Sequence, residues 1–212
     1  MSDRIVVVSG TGTGVGKTWV ARELARSLRA RGLEVAARKP VQSFCPNDGL
    51  TDAALLAAAT GESEHTVCPP HRSYGLPMAP PMAADALGLA RLYLADLVDE
   101  LALPKEGVAI MEGVGGPRSP LAHDADTVSL ADAVAADAVV LVAPSGLGAI
   151  NDVLLARSAF GERAIAVYMN RFDSADPVHS ANRRWLEARL PHVHNDLESL
   201  ADLVAGEVVV AG

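Results

Sequence analysis

The sequence predicts an α/β fold, a single-domain parallel sheet flanked by helices on both faces, and three observations lead there. Half of the residues are hydrophobic yet only 4% are aromatic, a composition suited to β-branched strands and small-residue helices. Short apolar runs bounded by Gly, Pro or Asp recur along the chain with helical patterns between them, the alternation of consecutive βαβ units. At 212 residues, one compact domain over residues 1–212 is the expected organisation.

Taken in order, Ile5–Ser9 is a β-branched run followed by a Gly-rich turn. An amphipathic helix is expected from Lys17 to Ala30, ended by Arg31-Gly32, with a second strand over Glu34–Arg38. Asp52–Thr60 is Ala-rich and helical, and Leu87–Leu101 carries Leu, Tyr and Val at helical spacing. Val108–Met111, Ala138–Val142 and Ala164–Met169 read as buried strands, with a helix from Ala149 to Phe160 between the last two. Val178–Leu190 and Leu197–Val204 read as helices and Glu207–Val210 as an edge strand. Pro69–Pro81, rich in Pro and Met, is read as a lid or a long connection.

Eighteen basic residues against 26 acidic ones give a net charge of −8. Without a Lys/Arg cluster, that balance argues against nucleic-acid and anionic-membrane partners, and any bound anion needs a local site. Cys45 and Cys68 match no metal-ligand spacing and suit reduced thiols. No leader-like segment or bilayer-length apolar run is read, so a cytoplasmic protein is expected.

The turn after the first strand reads Gly10-Thr11-Gly12-Thr13-Gly14-Val15-Gly16-Lys17-Thr18. Successive N–H groups of such a loop cradle phosphate oxygens, and the helix that follows adds its positive end. Lys17 would reach the β- and γ-phosphates and Thr18 would ligate Mg²⁺. Thr11 stands where the strict pattern has its first Gly, so this is a variant P-loop. The dinucleotide fingerprint fails at Val15. Three more charged residues fall where open α/β sheets bind ligands, at the carboxyl ends of strands. Lys39 ends the second strand, Asp52 follows Thr51 at a helix start, and Glu112 ends the third strand before Gly113-Val114-Gly115-Gly116. Two carboxylates and a P-loop hydroxyl can share a Mg²⁺ with water and phosphate. The plainer alternatives are a helix-start charge, a solvated strand end and an exposed lysine.

These residues together resemble the dethiobiotin synthetase family. The resemblance rests on the loop at 10–18, Lys39-Pro40-Val41-Gln42-Ser43, Asp52, Met111-Glu112-Gly113-Val114-Gly115-Gly116 and Gly146-Leu147-Gly148-Ala149-Ile150-Asn151, in family order. It implies a P-loop NTPase-type fold and an ATP- and Mg²⁺-dependent ligase of biotin biosynthesis. That ligase closes 7,8-diaminononanoate with CO₂ (or bicarbonate) into a cyclic urea through a carbamate and its phosphorylated form. Thr13, Lys17 and Lys39 are implied to be catalytic. Gly14, Val15, Gly16, Lys17, Thr18, Trp19, Asp52, Glu112, Gly113, Val114, Gly115, Asn170 and Arg171 are implied to hold MgATP. Thr13, Lys39 and Ser43 would meet the diamine. Gly148, Ala149, Ile150 and Asn151 match a helix start that receives the substrate carboxylate from the partner subunit of a homodimer.

The sequence departs from the family at Asp152, commonly His, at Pro117, and at Arg171, usually Asp. After Arg171 the family's Ile-Pro-Pro-type nucleotide segment is not readable, and Leu190-Pro191-His192 is a substitute for it. His192 and His194 read as a solvated pair. A partition-type ATPase switch shares the variant loop but needs a lysine where Gly12 stands. A regulatory domain of this fold has no need of Lys17, Thr18, Lys39, Asp52 and Glu112 together. An amidotransferase-linked ligase of cobalamin synthesis would carry a glutaminase domain.

Overall fold

The computed structural model describes residues 4–206; the Glu207–Val210 strand expectation lies outside the described residues. The elements run β1 (Arg4–Gly10), α1 (Lys17–Ala30), β2 (Val35–Arg38), β3 (Gln42–Ser43), α2 (Asp52–Thr60), α3 (Glu64–Val67) and β4 (Ser73–Tyr74). Then come α4 (Pro80–Ala86), α5 (Leu94–Asp99), β5 (Val108–Glu112), α6 (Thr127–Ala133) and β6 (Ala138–Pro144). The described chain closes with α7 (Ala149–Ser158), β7 (Ile165–Asn170), α8 (Pro177–Glu187), β8 (Val193–His194) and α9 (Leu197–Ala205). Six strands pair in parallel in the order β2-β5-β1-β6-β7-β8. A separate two-stranded parallel ribbon joins β3 to β4.

Period-two alternation assigns each strand residue to one of two cores. Val6, Val8, Val108, Ile110, Val140 and Val142 face the layer of α1, α2, α3 and α9. Ile5, Val7, Ala109, Met111, Val139 and Leu141 face α4, α5, α6, α7 and α8. Near-continuous apolar strands are therefore buried on both faces, as a parallel sheet requires. Side chains fix several helix starts. The Thr51 side chain accepts from Ala54 N, Asp126 from Ser129 N, Asp176 from Val178 N and His179 N, and Asp196 from Ser199 N, each satisfying a donor the first turn leaves open.

The expected long helix over Leu87–Leu101 is replaced by α4 and α5. Gly88 takes a left-handed φ of 66°. Its N–H donates to Asp85 O at 3.1 Å, and Leu89 N donates to Ala84 O at 2.9 Å. This bond pair terminates a helix at a glycine, so α4 ends where a helix was expected to begin. The expected Pro69–Pro81 connection holds a 3₁₀ turn (Pro70–Arg72), β4 and the start of α4. The short α6, β3 and β8 are additional to the expected elements. No helix among the described residues is long and apolar enough to cross a membrane.

Leu24 on α1 is fully buried in the core that this helix shares with β1, β2 and β5. Leu24→Ala removes its contacts there and leaves a cavity, so we expect a loss of about 2–5 kcal/mol. It should appear in urea unfolding as a lower midpoint with an unchanged m-value.

Candidate active site

Strand register assembles the site. Arg38 pairs with Met111 between β2 and β5, and Val8 pairs with Glu112 between β1 and β5. Lys39 is the next residue after Arg38, so it arrives beside Glu112 one step beyond the end of β2. Lys39 Nζ donates to Glu112 Oε1 at 2.8 Å and to Gly113 O at 3.1 Å, and pairs with Asp52 Oδ2 at 2.9 Å. The Gln42 side chain accepts from Ala53 N at 3.0 Å and donates to Ser73 Oγ at 2.8 Å. That bridge ties the start of α2, and with it Asp52, to β4. Thr18 Oγ1 lies 2.8 Å from Asp52 Oδ1 and 2.9 Å from Glu112 Oε1.

The loop between β1 and α1 has the backbone its glycines allow. Gly14 and Gly16 take φ of 76° and 98°, a region costly to residues with a Cβ. At Gly16 there is a second constraint, because an added Cβ would collide with Asn170 Nδ2. That amide donates to Val15 O at 2.8 Å, while its oxygen accepts from Arg171 N at 2.9 Å. Asn170, at the end of β7, thus clamps the loop to the sheet. Lys17 Nζ turns back to Gly12 O at 3.0 Å.

Lys39 and Glu112 are only 3% and 1% exposed, so neither is the solvated end that the plainer alternatives describe. Burial alone would favour a neutral Lys39, but Glu112 and Asp52 outweigh it and hold the ammonium charged, well above the usual lysine range. Burial also pushes Asp52 up, and Lys39 overcomes it to leave that carboxyl below its ordinary value. Glu112 is pushed up by burial, with Lys39 opposing. Lys17 is brought down to about 8 by burial and then by the like charge of Lys39. Two ammoniums face two carboxylates, of which Glu112 is buried and Asp52 is partly open to water.

A cavity of about 560 Å³ opens here, lined by Thr13, Gly14, Gly16, Lys17, Thr18, Lys39, Ser43, Asp52, Glu112, Val114 and Gly115. Its remaining wall is Pro77, Met78, Ala79, Pro80, Ser119 and Pro120. Pro77–Pro80 belong to the Pro-Met segment expected as a lid or a long connection, although none of the six was expected as a site residue, and Ser119 and Pro120 carried no signal of their place. Ser43 Oγ donates to Met78 O at 2.5 Å, fastening the wall to β3. A second cavity of about 380 Å³ shares Gly16 and is lined by Trp19, Tyr168, Asn170, Arg171, Phe172 and Asn195. Tyr168, Phe172 and Asn195 are additions, and Leu190-Pro191-His192 does not line it. Val15 and Gly113 support the loop and Lys39 rather than lining either cavity. Gly148, Ala149, Ile150 and Asn151 line neither: they form the left-handed cap (Gly148, φ 92°) and first turn of α7. Asp152, also in that turn, accepts from Asn151 Nδ2 at 3.2 Å. His192 and His194 stack with centroids 6.5 Å apart, and the described residues hold no group of three or more His, Cys, Asp and Glu fit for a metal.

The donor set around Thr18 suits a hard divalent cation that keeps water and phosphate ligands. Glu112 Oε2 is buried and has no hydrogen-bond partner among the described residues. A buried carboxylate oxygen left without a partner costs free energy, and a cation held by Thr18, Asp52 and Glu112 would remove that cost.

Comparison with known proteins bears on the whole chain. A family model described as an AAA domain matches residues 4–195. The ATP-dependent dethiobiotin synthetase BioD of Haloferax mediterranei is 35% identical over 184 residues, 85% of this chain and 77% of the relative. The protein of the same name from Nitrosospira multiformis is 36% identical over 217 residues, 92% of this chain and 93% of the relative. A plasmid partition protein from Borrelia burgdorferi aligns in structure with a TM-score of 0.60, over 98% of this chain and all of that one. At 11% identity that likeness shows the fold alone.

The depressed Lys17 gives a pH signature. Below pH 8 the free enzyme already carries the charge a triphosphate needs; above it, binding must bring a proton in. ATP affinity should therefore fall as pH rises past 8, with proton uptake seen by calorimetry in buffers of different ionisation enthalpy. Lys17→Arg, charged throughout, should bind without uptake. Uptake retained in that variant would move the titration to another group.

Proposed function

The chain belongs to the ATP-dependent dethiobiotin synthetase family, and on that premise we propose that it closes 7,8-diaminononanoate and CO₂ into dethiobiotin with MgATP. The observation that carries this reading is the buried Lys39 beside the P-loop, a second cation that phosphate binding alone does not require. An amine adds to CO₂ and gives up a proton, becoming a carbamate anion. A carbamate oxygen then attacks the γ-phosphorus, ADP departs, and a carbamic–phosphoric anhydride remains. The second amine attacks its carbonyl carbon, phosphate leaves, the amine proton is lost and the urea ring is complete.

Attack of one anion on another is slow unless fixed cations offset the repulsion. Lys17 and the N–H groups of Gly14, Val15, Gly16, Lys17 and Thr18 hold the phosphates, with Trp19, Asn170 and Arg171 at the base. Thr13 and Ser43 flank the reacting groups, Val114 and Gly115 close the floor, and Gly113 behind them holds Lys39 through its carbonyl. Lys39 faces the carbamate. Thr18, Asp52 and Glu112 hold Mg²⁺, which when bound neutralises charge on the phosphoryl oxygens. The apolar wall from Pro77 to Pro80 suits the methylene chain of the diamine.

In this proposal the substrate carboxylate is received by Gly148–Asn151 of a second copy. Two features support that: those residues line neither cavity of their own chain, and Leu147 and Leu155 beside them are 96% and 66% exposed. Sedimentation equilibrium should give a dimer at assay concentration. A fully active monomer would remove this part of the reading.

The decisive measurement is ADP release with diamine and bicarbonate present or withheld, with product mass followed in parallel. ADP and a urea product should form together and stop when either reactant is withheld. Lys39→Ala should keep most ATP affinity but lose urea formation by about tenfold or more, since each 1.36 kcal/mol of lost transition-state stabilisation is about tenfold in rate. Circular dichroism separates that loss from misfolding. Lys39→Arg should recover only part, a planar fork replacing a compact ammonium. Wild-type urea formation by Lys39→Ala would leave the lysine a purely structural charge.

A further inference from the structure

The second cavity holds the groups that meet the base of a nucleotide whose phosphates lie on the P-loop, and their chemistry is lopsided. This rests on the nucleotide-site reading above. Trp19 and Phe172 supply ring surface, and stacking on an aromatic ring is tolerant of base identity because every base has a π-face. Discrimination must come from polar groups at the base edge.

Asparagine is the side chain that reads an adenine edge, donating to N7 and accepting from N6, whereas arginine reads the two acceptors O6 and N7 of guanine. Asn170 is largely spent: its amide nitrogen donates to Val15 O, its oxygen accepts from Arg171 N, and it is only 5% exposed. Its packing against Gly16, where an added Cβ would strike Nδ2, ties it to the loop backbone. Arg171 is the opposite case. It is exposed. Among the described residues no carboxylate pairs with it, and its one side-chain hydrogen bond is Nη2 to Gly14 O at 3.4 Å. Its backbone sits at φ 56°, a left-handed conformation costly to a residue with a Cβ that holds the chain beside the loop. Among the described residues no carboxylate lines this cavity, so the exocyclic amines of adenine (N6) and guanine (N2) alike have Asn195 as the remaining side-chain amide, and the two purines are told apart by the edge that meets Arg171. The guanidinium offers five donors and no acceptor.

We propose that Arg171 is a base-specificity residue that admits guanine, so that GTP serves as phosphoryl donor beside ATP. Guanine O6 and N7 give the guanidinium two acceptors where adenine gives it one beside a donor. Asn195 keeps adenine acceptable.

The test uses the full chain, with initial rates of urea formation from ATP and from GTP at saturating diamine and bicarbonate, and calorimetric binding of each nucleotide. The wild type should use GTP with a kcat/KM within about tenfold of ATP, the range in which one bidentate contact can offset the other base's contacts. Arg171→Ala should shift the GTP-to-ATP ratio of kcat/KM toward ATP by about tenfold, and Arg171→Lys, a point charge without the fork, should not restore it. A residue that merely props the loop would lower both nucleotides together and leave the ratio where it was. That result, or a wild-type preference for ATP of more than about 100-fold, overturns the proposal. If neither nucleotide supports urea formation the synthetase reading fails, while the binding ratio, shifted or not by Arg171→Ala, still decides the role of Arg171.

Discussion

One buried ammonium shared between a buried carboxylate and a half-buried one organises this site. Taking charges out of water costs several kcal/mol per ion, and only close pairing with further hydrogen bonds recovers it. Lys39 reaches Glu112, Asp52 and the carbonyl of Gly113, and Thr18 bridges the same two carboxylates. The partners come from the end of β5, the start of α2 and the first turn of α1. Loss of Lys39 strands two acids, and loss of Glu112 strands a lysine that is 3% exposed. The register of β2 on β5 brings this about, so the sheet's pairing and the site's electrostatics are a single constraint.

Much of this was legible in the sequence because the chemistry is local. Gly10–Thr18 contains its whole cradle in nine consecutive residues, and Lys39, Asp52 and Glu112 each sit at the boundary of a recognisable strand or helix. Their burial was not legible, since the Lys39–Glu112 contact spans 73 positions and depends on a register that no local pattern states. For the Pro77–Pro80 wall the sequence left a lid and a long connection both open, because Pro and Met chemistry announces irregular backbone but not what it covers. At Gly88 the residue type was plain, and helical spacing in Leu87–Leu101 outweighed it although the glycine's left-handed bonds end α4. The seven residues of α6 offer too few turns for periodicity to register, and only the Asp126 cap marks them.

The two cavities differ in how tightly the fold specifies them. Around Lys39 both carboxylates are held by the ammonium, and its burial leaves little room for substitution. Around Arg171 the aromatic surfaces and side-chain amides sit at the outer end of β7 and after β8, the last strand of the sheet. An edge position backed by loops tolerates changes that the centre does not. Asp152, Pro117 and Arg171, where departures from the family pattern were expected, all lie on the loops and helix starts that follow strands.

The balance of charge in the first cavity has a thermodynamic consequence. With Lys17 and Lys39 set against Asp52 and Glu112, the empty pocket is close to neutral. A lone divalent ion meets carboxylates already compensated, and a lone triphosphate meets lysines already engaged. Arriving together, cation and polyanion each supply the counter-charge the other lacks. By reciprocal linkage each raises the affinity of the other by the same factor. On the reading proposed above, the protein would respond more strongly to the magnesium–nucleotide pair than to either alone.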